Sequence, residues 1–301
     1  MKYLILGSGG MIAYKFIGVL KYLKESESLN DLEEISGASS GAILAAFYVL
    51  FKGDVEKMLN IMLEMDVKNY AKKNIKNFLK KYGLIDSLNI KKMVDECGLK
   101  DVTFRELYEI NPIKLHIPTF DIENNRTVYL SVDNNPDMDV STAIMYSVSV
   151  PILFTPVEGR FVDGSTAEWS PGAPFLGKND VFELRADIFT APKEHKSLVD
   201  YLIILFKCIL STRIRYDDFK RIDLSADFDI FDFSMSREMR IDLYKSTLRW
   251  LVCIPIEVLY IFLSISSLVY KVFLLTSREG SNEEKNLPIT TRKIYKGYMN
   301  N

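Results

Sequence analysis

Histidine is scarce in this 301-residue chain and occurs only at His116 and His195. Cysteine is also scarce: three widely spaced residues without a CxxC pair argue against a disulfide framework or a zinc site and favour a reducing compartment. The 38 basic and 40 acidic residues nearly cancel and form no basic block, so the composition does not favour nucleic acid as a partner. The opening MKYLILGSGG has too short an apolar run for a secretory signal. An intracellular protein is therefore expected.

A chain of this length, with 48% apolar residues, is long enough for one large α/β domain. The first fifty residues contain two units of the same kind. KYLIL predicts a buried strand that ends in GSGG and is followed by a helix, MIAYKFIGVLKYLKE. LEEIS, the turn GASSG and the apolar helix AILAAFYVLF repeat this order. Two such units predict a parallel sheet.

The middle of the chain predicts a helical flank and then an antiparallel pair. From Gly53 to Cys97 the pattern is helical and lysine-rich, with a break at YGLIDS, which suggests a solvated flank over the sheet. NPIKLHIPTFDIENNRTVYLSVDN predicts a hairpin around Glu123–Asn125. MDVSTAIMYSVSVP predicts a helix stopped by Pro151, and GRFVDGS predicts a short strand that ends in a turn.

The C-terminal third has a different composition. An aspartate-rich piece is interpreted as solvated positions around a short strand, IFDF. It lacks the glycine and glutamate of an EF-hand, so no metal is predicted.

The run LRWLVCIPIEVLYIFLSISSLVYKVFLL is long enough to cross a bilayer. Pro255 and Glu257 interrupt it, so a helix packed on the domain is the alternative to membrane association. The predicted units are a catalytic core at 1–190, its C-terminal part at 191–246, an apolar helix at 247–275 and a polar tail at 276–301.

The sequence GASSG has the GxSxG pattern of a nucleophile elbow. Between a strand and a helix, flanking Gly37 and Gly41 permit a sharp turn that exposes Ser39 at a helix N-terminus. The alternative is a small-residue turn in which Ser39 or Ser40 caps the helix.

A serine nucleophile needs a base. His116 lies in an alternating strand pattern typical of a half-buried structural histidine, and His195 lies in a polar, turn-like context. Asp163 in FVDGS follows a short apolar run, where it is either a turn former or a carboxylate aimed at Ser39.

The first glycine turn, Gly7–Met11, is placed to bind negative charge. Amides at a helix N-terminus can hold a phosphate or an oxyanion. The turn lacks the lysine of a P-loop, and Ile12 stands where GxGxxG has its third glycine. An oxyanion hole is the interpretation that fits with GxSxG.

Taken in order, these motifs resemble those of the patatin-like phospholipases, over roughly Lys2 to Pro174. The matching elements are Ser8–Ala13, Gly37–Gly41 and Asp163–Ser165, together with KKYGLIDS, VTFRELYEI, PTFDIENNRTVYLS and SVSVPILFTPVEGRFVDGS.

The resemblance implies a three-layer α/β/α sandwich with a mostly parallel central sheet. It also implies a Ser-Asp dyad without histidine, in which Ser39 is the nucleophile and Asp163 the base, and an oxyanion hole formed by the amides of Gly9, Gly10 and Met11. The expected substrate is a phospholipid or another acyl-ester lipid taken from a membrane surface, and no cofactor is expected.

The sequence departs from the family pattern at Ser8, Ile12 and Ala13, and it has DGS in place of DGG. These departures motivate one alternative, a catalytically degenerate member that binds lipid or a partner. A second alternative is an α/β-hydrolase triad of Ser39, Asp163 and His195, although few strands can precede Ser39.

Overall fold

The structure, a computed structural model, describes residues 1–168, 170–187, 197–210 and 219–252. The strands are β1 (Tyr3–Leu6), β2 (Glu34–Gly37), β3 (Gly83–Ile85), β4 (Lys114–Asp121), β5 (Arg126–Leu130), β6 (Ile152–Phe154), β7 (Phe161–Asp163), β8 (Val181–Asp187) and β9 (Lys220–Ser225). The helices are α1 (Ala13–Glu25), α2 (Ser40–Leu50), α3 (Val55–Glu64), α4 (Val67–Tyr70), α5 (Ile75–Lys81), α6 (Leu88–Val94), α7 (Phe104–Ile110), α8 (Val140–Ser147), α9 (Leu198–Leu210) and α10 (Arg237–Val252).

The central sheet has the order β5–β4–β2–β1–β8–β9, and β7 also pairs with β4. The five strands β4, β2, β1, β8 and β9 are parallel, whereas β5 and β7 run antiparallel to β4. The predicted fold class, a mostly parallel sheet with helices around it, is confirmed.

Strand β1 shows why the core is divided between the two faces. Leu4 and Leu6 belong to the main core cluster with the residues of α1 and α2, whereas Ile5 packs on the other face with Phe175 and Val181. All six residues of β8 from Val181 to Ala186 are buried, as expected for an inner parallel strand.

Two predictions about elements need comment. The β4–β5 hairpin is confirmed, and the break at YGLIDS contains β3, which pairs with β6. The predicted strand IFDF is wrong, because residues 230–233 form turns. The carboxylates of Asp229 and Asp232 accept hydrogen bonds from the amides of Phe231 and Ser234, and such local bonds favour turns over a ladder.

The predicted apolar helix at 247–275 lies only partly within the described residues. Its first six residues continue α10, where Thr247 and Leu251 are fully buried, so they belong to the domain. The rest of that helix and the tail at 276–301 lie outside the described residues. Within the described parts of the chain, no helix has both the length and the apolarity to cross a membrane.

Candidate active site

The predicted site residues meet beyond the carboxyl ends of the central strands. The glycine turn follows β1, Ser39 follows β2, and Asp163 is the last residue of β7. Binding sites of open α/β sheets occur at this edge because loops from neighbouring strands converge there.

Ser39 has the strained backbone of a nucleophile elbow, with φ 54° and ψ −123° immediately before α2. A Cβ on Gly37 would lie 2.3 Å from the Gly41 carbonyl oxygen, and one on Gly41 would lie 2.2 Å from the Leu6 carbonyl oxygen. Side chains at these two positions would therefore force the turn apart. The strain at Ser39, of order 1–3 kcal/mol, is the kind that clusters at functional sites.

Asp163 is fully buried, and its two carboxylate oxygens differ in their surroundings. Oδ1 accepts hydrogen bonds from the amide of Ser165, at 2.8 Å, and from the Ser165 hydroxyl. Oδ2 makes no well-formed hydrogen bond with the described residues. Burial raises the pKa of Asp163 to about 6, and the hydroxyls of Ser165 and Ser39 partly offset this rise. One oxygen of the carboxylate is thus free to accept a proton from Ser39.

The C-terminal end of α8 and the turn after it hold both of these residues. The hydroxyl oxygen of Ser147 accepts the Ser39 amide at 3.1 Å, and the carbonyl of Ser149 accepts the Asp163 amide at 2.9 Å. Ser147 and Ser149 are fully buried. A segment of three residues therefore fixes the backbone on both sides of the predicted proton transfer.

The three amides predicted for the oxyanion hole have different partners. The Gly9 amide donates to the Ser40 hydroxyl oxygen at 3.2 Å, and the Met11 amide donates to the Ile230 carbonyl at 2.9 Å. None of the hydrogen bonds among the described residues uses the Gly10 amide. Gly10 has φ +54°, and a Cβ there would lie 2.3 Å from the Ile230 carbonyl oxygen.

Three of the four departures from the family pattern, those at Ile12, Ala13 and Ser165, have structural explanations. Ile12 is fully buried in the core, and a basic residue occurs one turn later as Lys15, which donates to the Ser225 carbonyl at 2.7 Å. Ala13 begins α1 with helical dihedral angles, so no glycine is needed there. Ser165 has no positive φ and binds Asp163.

Ser39 and Ser40 line an open cleft of about 630 Å³ whose other walls are almost entirely apolar. Four methionines contribute, Met11, Met62, Met65 and Met93, and their unbranched side chains adapt to ligands of irregular shape. The aromatic lining comes from Tyr14, Phe154, Phe231 and Phe233.

Within the described residues, no histidine belongs to this site. His116 bonds through Nε2 to Glu34 at 2.7 Å and packs edge-on against Phe175, as expected for a structural residue. Burial lowers its pKa. His195 lies outside the described residues. Across the described ranges, no group of three or more His, Cys, Asp or Glu side chains is arranged to hold a metal ion.

Two features of the site were not predicted from the sequence. The first is Ser147, for which the small-residue string SVSVP before Pro151 is the available signal. The second is the loop at 226–235, which contacts Gly10 and Met11 and contributes Phe231 and Phe233 to the cleft.

Comparison with curated proteins finds distant viral relatives. The uncharacterized protein R571 of Acanthamoeba polyphaga mimivirus is 25% identical over 166 residues, which cover 52% of this chain and 54% of that protein. The "Probable lipid hydrolase 463L" of Invertebrate iridescent virus 6 is 24% identical over 176 residues, covering 54% and 59%. The chain thus spans about half the length of these relatives.

Comparison with solved structures finds VipD from Legionella pneumophila and the type III effector ExoU. VipD has a TM-score of 0.48 and 14% identity, over 83% of this chain and 66% of VipD. ExoU has a TM-score of 0.46 and 16% identity, over 82% and 51%.

A family model described as patatin-like phospholipase matches residues 4–174, which is more than half of the chain. This range contains the glycine turn, Ser39 and Asp163. The chain belongs to the patatin-like phospholipase family.

Proposed function

We propose that this protein hydrolyses acyl esters of lipids, with Ser39 as the nucleophile and Asp163 as the only base. One observation carries the proposal. Ser39 is held in a strained turn beside a fully buried carboxylate with an unbonded oxygen, at the wall of an apolar cleft.

In the first step, Ser39 Oγ attacks the ester carbonyl carbon while its proton passes to Asp163 Oδ2. The carbonyl oxygen becomes an oxyanion, and we expect the Gly10 amide to donate to it together with the Ser40 amide that follows Ser39. When the tetrahedral intermediate collapses, the alcohol leaves with the proton from Asp163. Asp163 then takes a proton from water, whose oxygen attacks the acyl-enzyme carbonyl. When this second tetrahedral intermediate collapses, Asp163 returns the proton to Ser39 Oγ, which releases the fatty acid and regenerates both residues.

The cleft supports a lipid as the substrate. Its apolar walls suit an acyl chain, because burial of each CH₂ group is worth about 0.8 kcal/mol. The name of the iridescent virus relative, a lipid hydrolase, agrees with this assignment. We therefore assign the substrate to phospholipids or other acyl-ester lipids at an intracellular membrane surface, without a cofactor.

The test is hydrolysis of a phospholipid and of a soluble p-nitrophenyl ester by purified protein. Ser39→Ala and Asp163→Asn should each reduce kcat by at least about a thousandfold, because the residues act as one unit. Ser26→Ala and Asp137→Asn, which change the same residue types elsewhere, should retain wild-type rates. Wild-type rates in either dyad variant would refute the mechanism.

A second function, lipid or partner binding without catalysis, is favoured by one observation. Two of the three amides predicted for the oxyanion hole already donate to protein groups, the Gly9 amide to Ser40 and the Met11 amide to Ile230. A fluorophosphonate probe distinguishes the two functions. Labelling of Ser39 requires an activated serine and supports the hydrolase, whereas lipid binding without labelling supports the alternative.

A further inference from the structure

The segment 66–92 carries large apolar side chains that remain exposed. Ile75, Leu79 and Tyr82 are 56%, 73% and 73% exposed, and Leu88 is 53% exposed. The first three follow one another at i, i+4 and i+7, so they lie along one face of α5 and its C-terminal end. We call this set of four side chains, with the lysines around it, the α5 surface.

The same segment is strongly basic although the chain is not. Residues 66–92 contain eight lysines and two aspartates, a net charge of +6, whereas the whole chain carries −2. The remaining residues therefore carry −8. Four exposed lysines around α5 form no salt bridge with the described residues: Lys72, Lys73, Lys76 and Lys80.

The α5 surface lies in a segment whose two ends line the cleft. The chain on either side of α5 contributes Val67, Ile90 and Met93 to the cleft wall. A hydrogen bond from the Asn74 amide to the Leu84 carbonyl, at 2.7 Å, joins the chain just before α5 to the chain just after it. The exposed apolar side chains thus project from a closed loop of chain that is anchored at the cleft wall.

We propose that the α5 surface docks the protein on an anionic membrane. Ile75, Leu79 and Tyr82 enter the headgroup boundary, and the lysines contact lipid phosphates and carboxylates. An apolar stripe bordered by lysines is the composition of an interfacial helix. Docking would hold the cleft close to the bilayer. This benefit for catalysis rests on the proposed lipid hydrolysis, whereas the membrane binding does not depend on it.

The test is co-sedimentation of the full chain with vesicles of phosphatidylcholine alone and with phosphatidylserine as about a third of the lipid. The lysine variant changes Lys72, Lys73, Lys76 and Lys80 to glutamate. The apolar variant is Ile75→Gln with Leu79→Gln. The control variant makes the same charge change elsewhere, at Lys24, Lys52, Lys220 and Lys245. Hydrolysis of a soluble p-nitrophenyl ester is measured in parallel.

The wild type and the control variant should prefer the anionic vesicles, and the lysine and apolar variants should each bind them at least about tenfold more weakly. Unchanged soluble-ester hydrolysis shows that the variants fold. Equal binding by all proteins overturns the proposal. Weaker binding by the lysine variant alone indicates a purely charged contact, as with an acidic protein, and also overturns it. Inactivity of the wild type on esters refutes the proposed function. Circular dichroism then shows that the variants fold, so the vesicle result remains valid.

Discussion

The proposed mechanism requires the buried carboxylate of Asp163 to be ionised, yet burial favours its neutral form. Its pKa is raised from the ordinary 3.8 to about 6. A base must be ionised to accept the proton of Ser39, so kcat/KM for a neutral ester should rise as the pH passes through about 6. A pH–rate profile measures this rise. A kcat/KM that stays constant between about pH 5 and pH 8 would contradict the assignment of Asp163 as the base.

The contribution of Asp163 to the free energy of unfolding should fall as the pH rises, whereas kcat/KM should increase. The folded protein binds the Asp163 proton more tightly than the unfolded chain, so stability falls as the pH rises from about 4 to about 6. Asp163→Asn removes this loss and should stabilise the protein by about 3 kcal/mol at pH 8, but little at pH 4. Urea unfolding at both pH values measures the difference. The exposed Asp137→Asn should show no such gain, and a destabilised Asp163→Asn at pH 8 would contradict the ionised, buried state.

Ser147 is predicted to be a positioning residue. Its hydroxyl oxygen is the acceptor for the amide of the strained Ser39. Ser147→Ala should lower kcat about tenfold with little change in KM, and Ser147→Thr should recover most of the rate because it keeps the oxygen. Ser141→Ala, in another fully buried serine of α8, is the matched control. Equal losses in the control would indicate packing alone.

At the scale of elements, the loop at 226–235 closes over the glycine turn. Gly10→Ala would place a Cβ 2.3 Å from the Ile230 carbonyl oxygen and push the loop away. Activity should fall by at least about a hundredfold, because the Gly10 amide is displaced. Gly177→Ala is the control for backbone strain, since Gly177 also has positive φ but nothing within 4 Å of an added Cβ. Gly177→Ala should lose about 1 kcal/mol of stability from backbone strain alone, and Gly10→Ala should lose more because of the added clash. Only Gly10→Ala should lose ester hydrolysis.

Elements with a simple apolar pattern could be predicted from the sequence, and β8, whose pattern is interrupted by two charged residues, could not. β1, β2 and the β4–β5 hairpin follow their patterns. β8 was not predicted, because Glu183 and Arg185 interrupt its apolar run. In the structure these two side chains form a buried pair on one face of β8, at 2.7 Å and 2.8 Å. Their pairing offsets part of the cost of burying each charge there.

At the scale of the whole molecule, the region matched by the family model does not complete the sheet. β8 lies directly beside β1, and the Gly7 amide donates to the Leu184 carbonyl at 2.8 Å. A chain ending at Pro174 should therefore fail to fold, whereas one ending at Val252 keeps every described element. Circular dichroism melting of the two truncated proteins measures this, and a cooperative transition in the shorter one would contradict it.

The chain ending at Val252 also tests the membrane prediction for residues 247–275. If residues beyond 252 associate with membranes, the full chain should pellet with cell membranes to a larger extent than the shortened one. Identical partitioning would rule out that role for this segment.

Only those residues of the candidate site that lie within local motifs could be predicted from the sequence. GASSG, FVDGS and the first glycine turn each contain a local signal for their role. The partners that hold them come from distant parts of the chain: Ser147 for Ser39, and Ile230 for Met11. Such contacts have no local pattern, because tertiary packing alone creates them.

The bond from Met11 to the Ile230 carbonyl has a consequence for synthesis. The chain emerges from the ribosome N-terminus first, and domains fold as their residues become available. Ser39 and the glycine turn are thus made early, but the segment that contacts this turn is among the last described residues to appear. A nascent or prematurely terminated chain carries Ser39 without its finished surroundings, so the proposed hydrolysis should begin only after nearly the whole domain has been made.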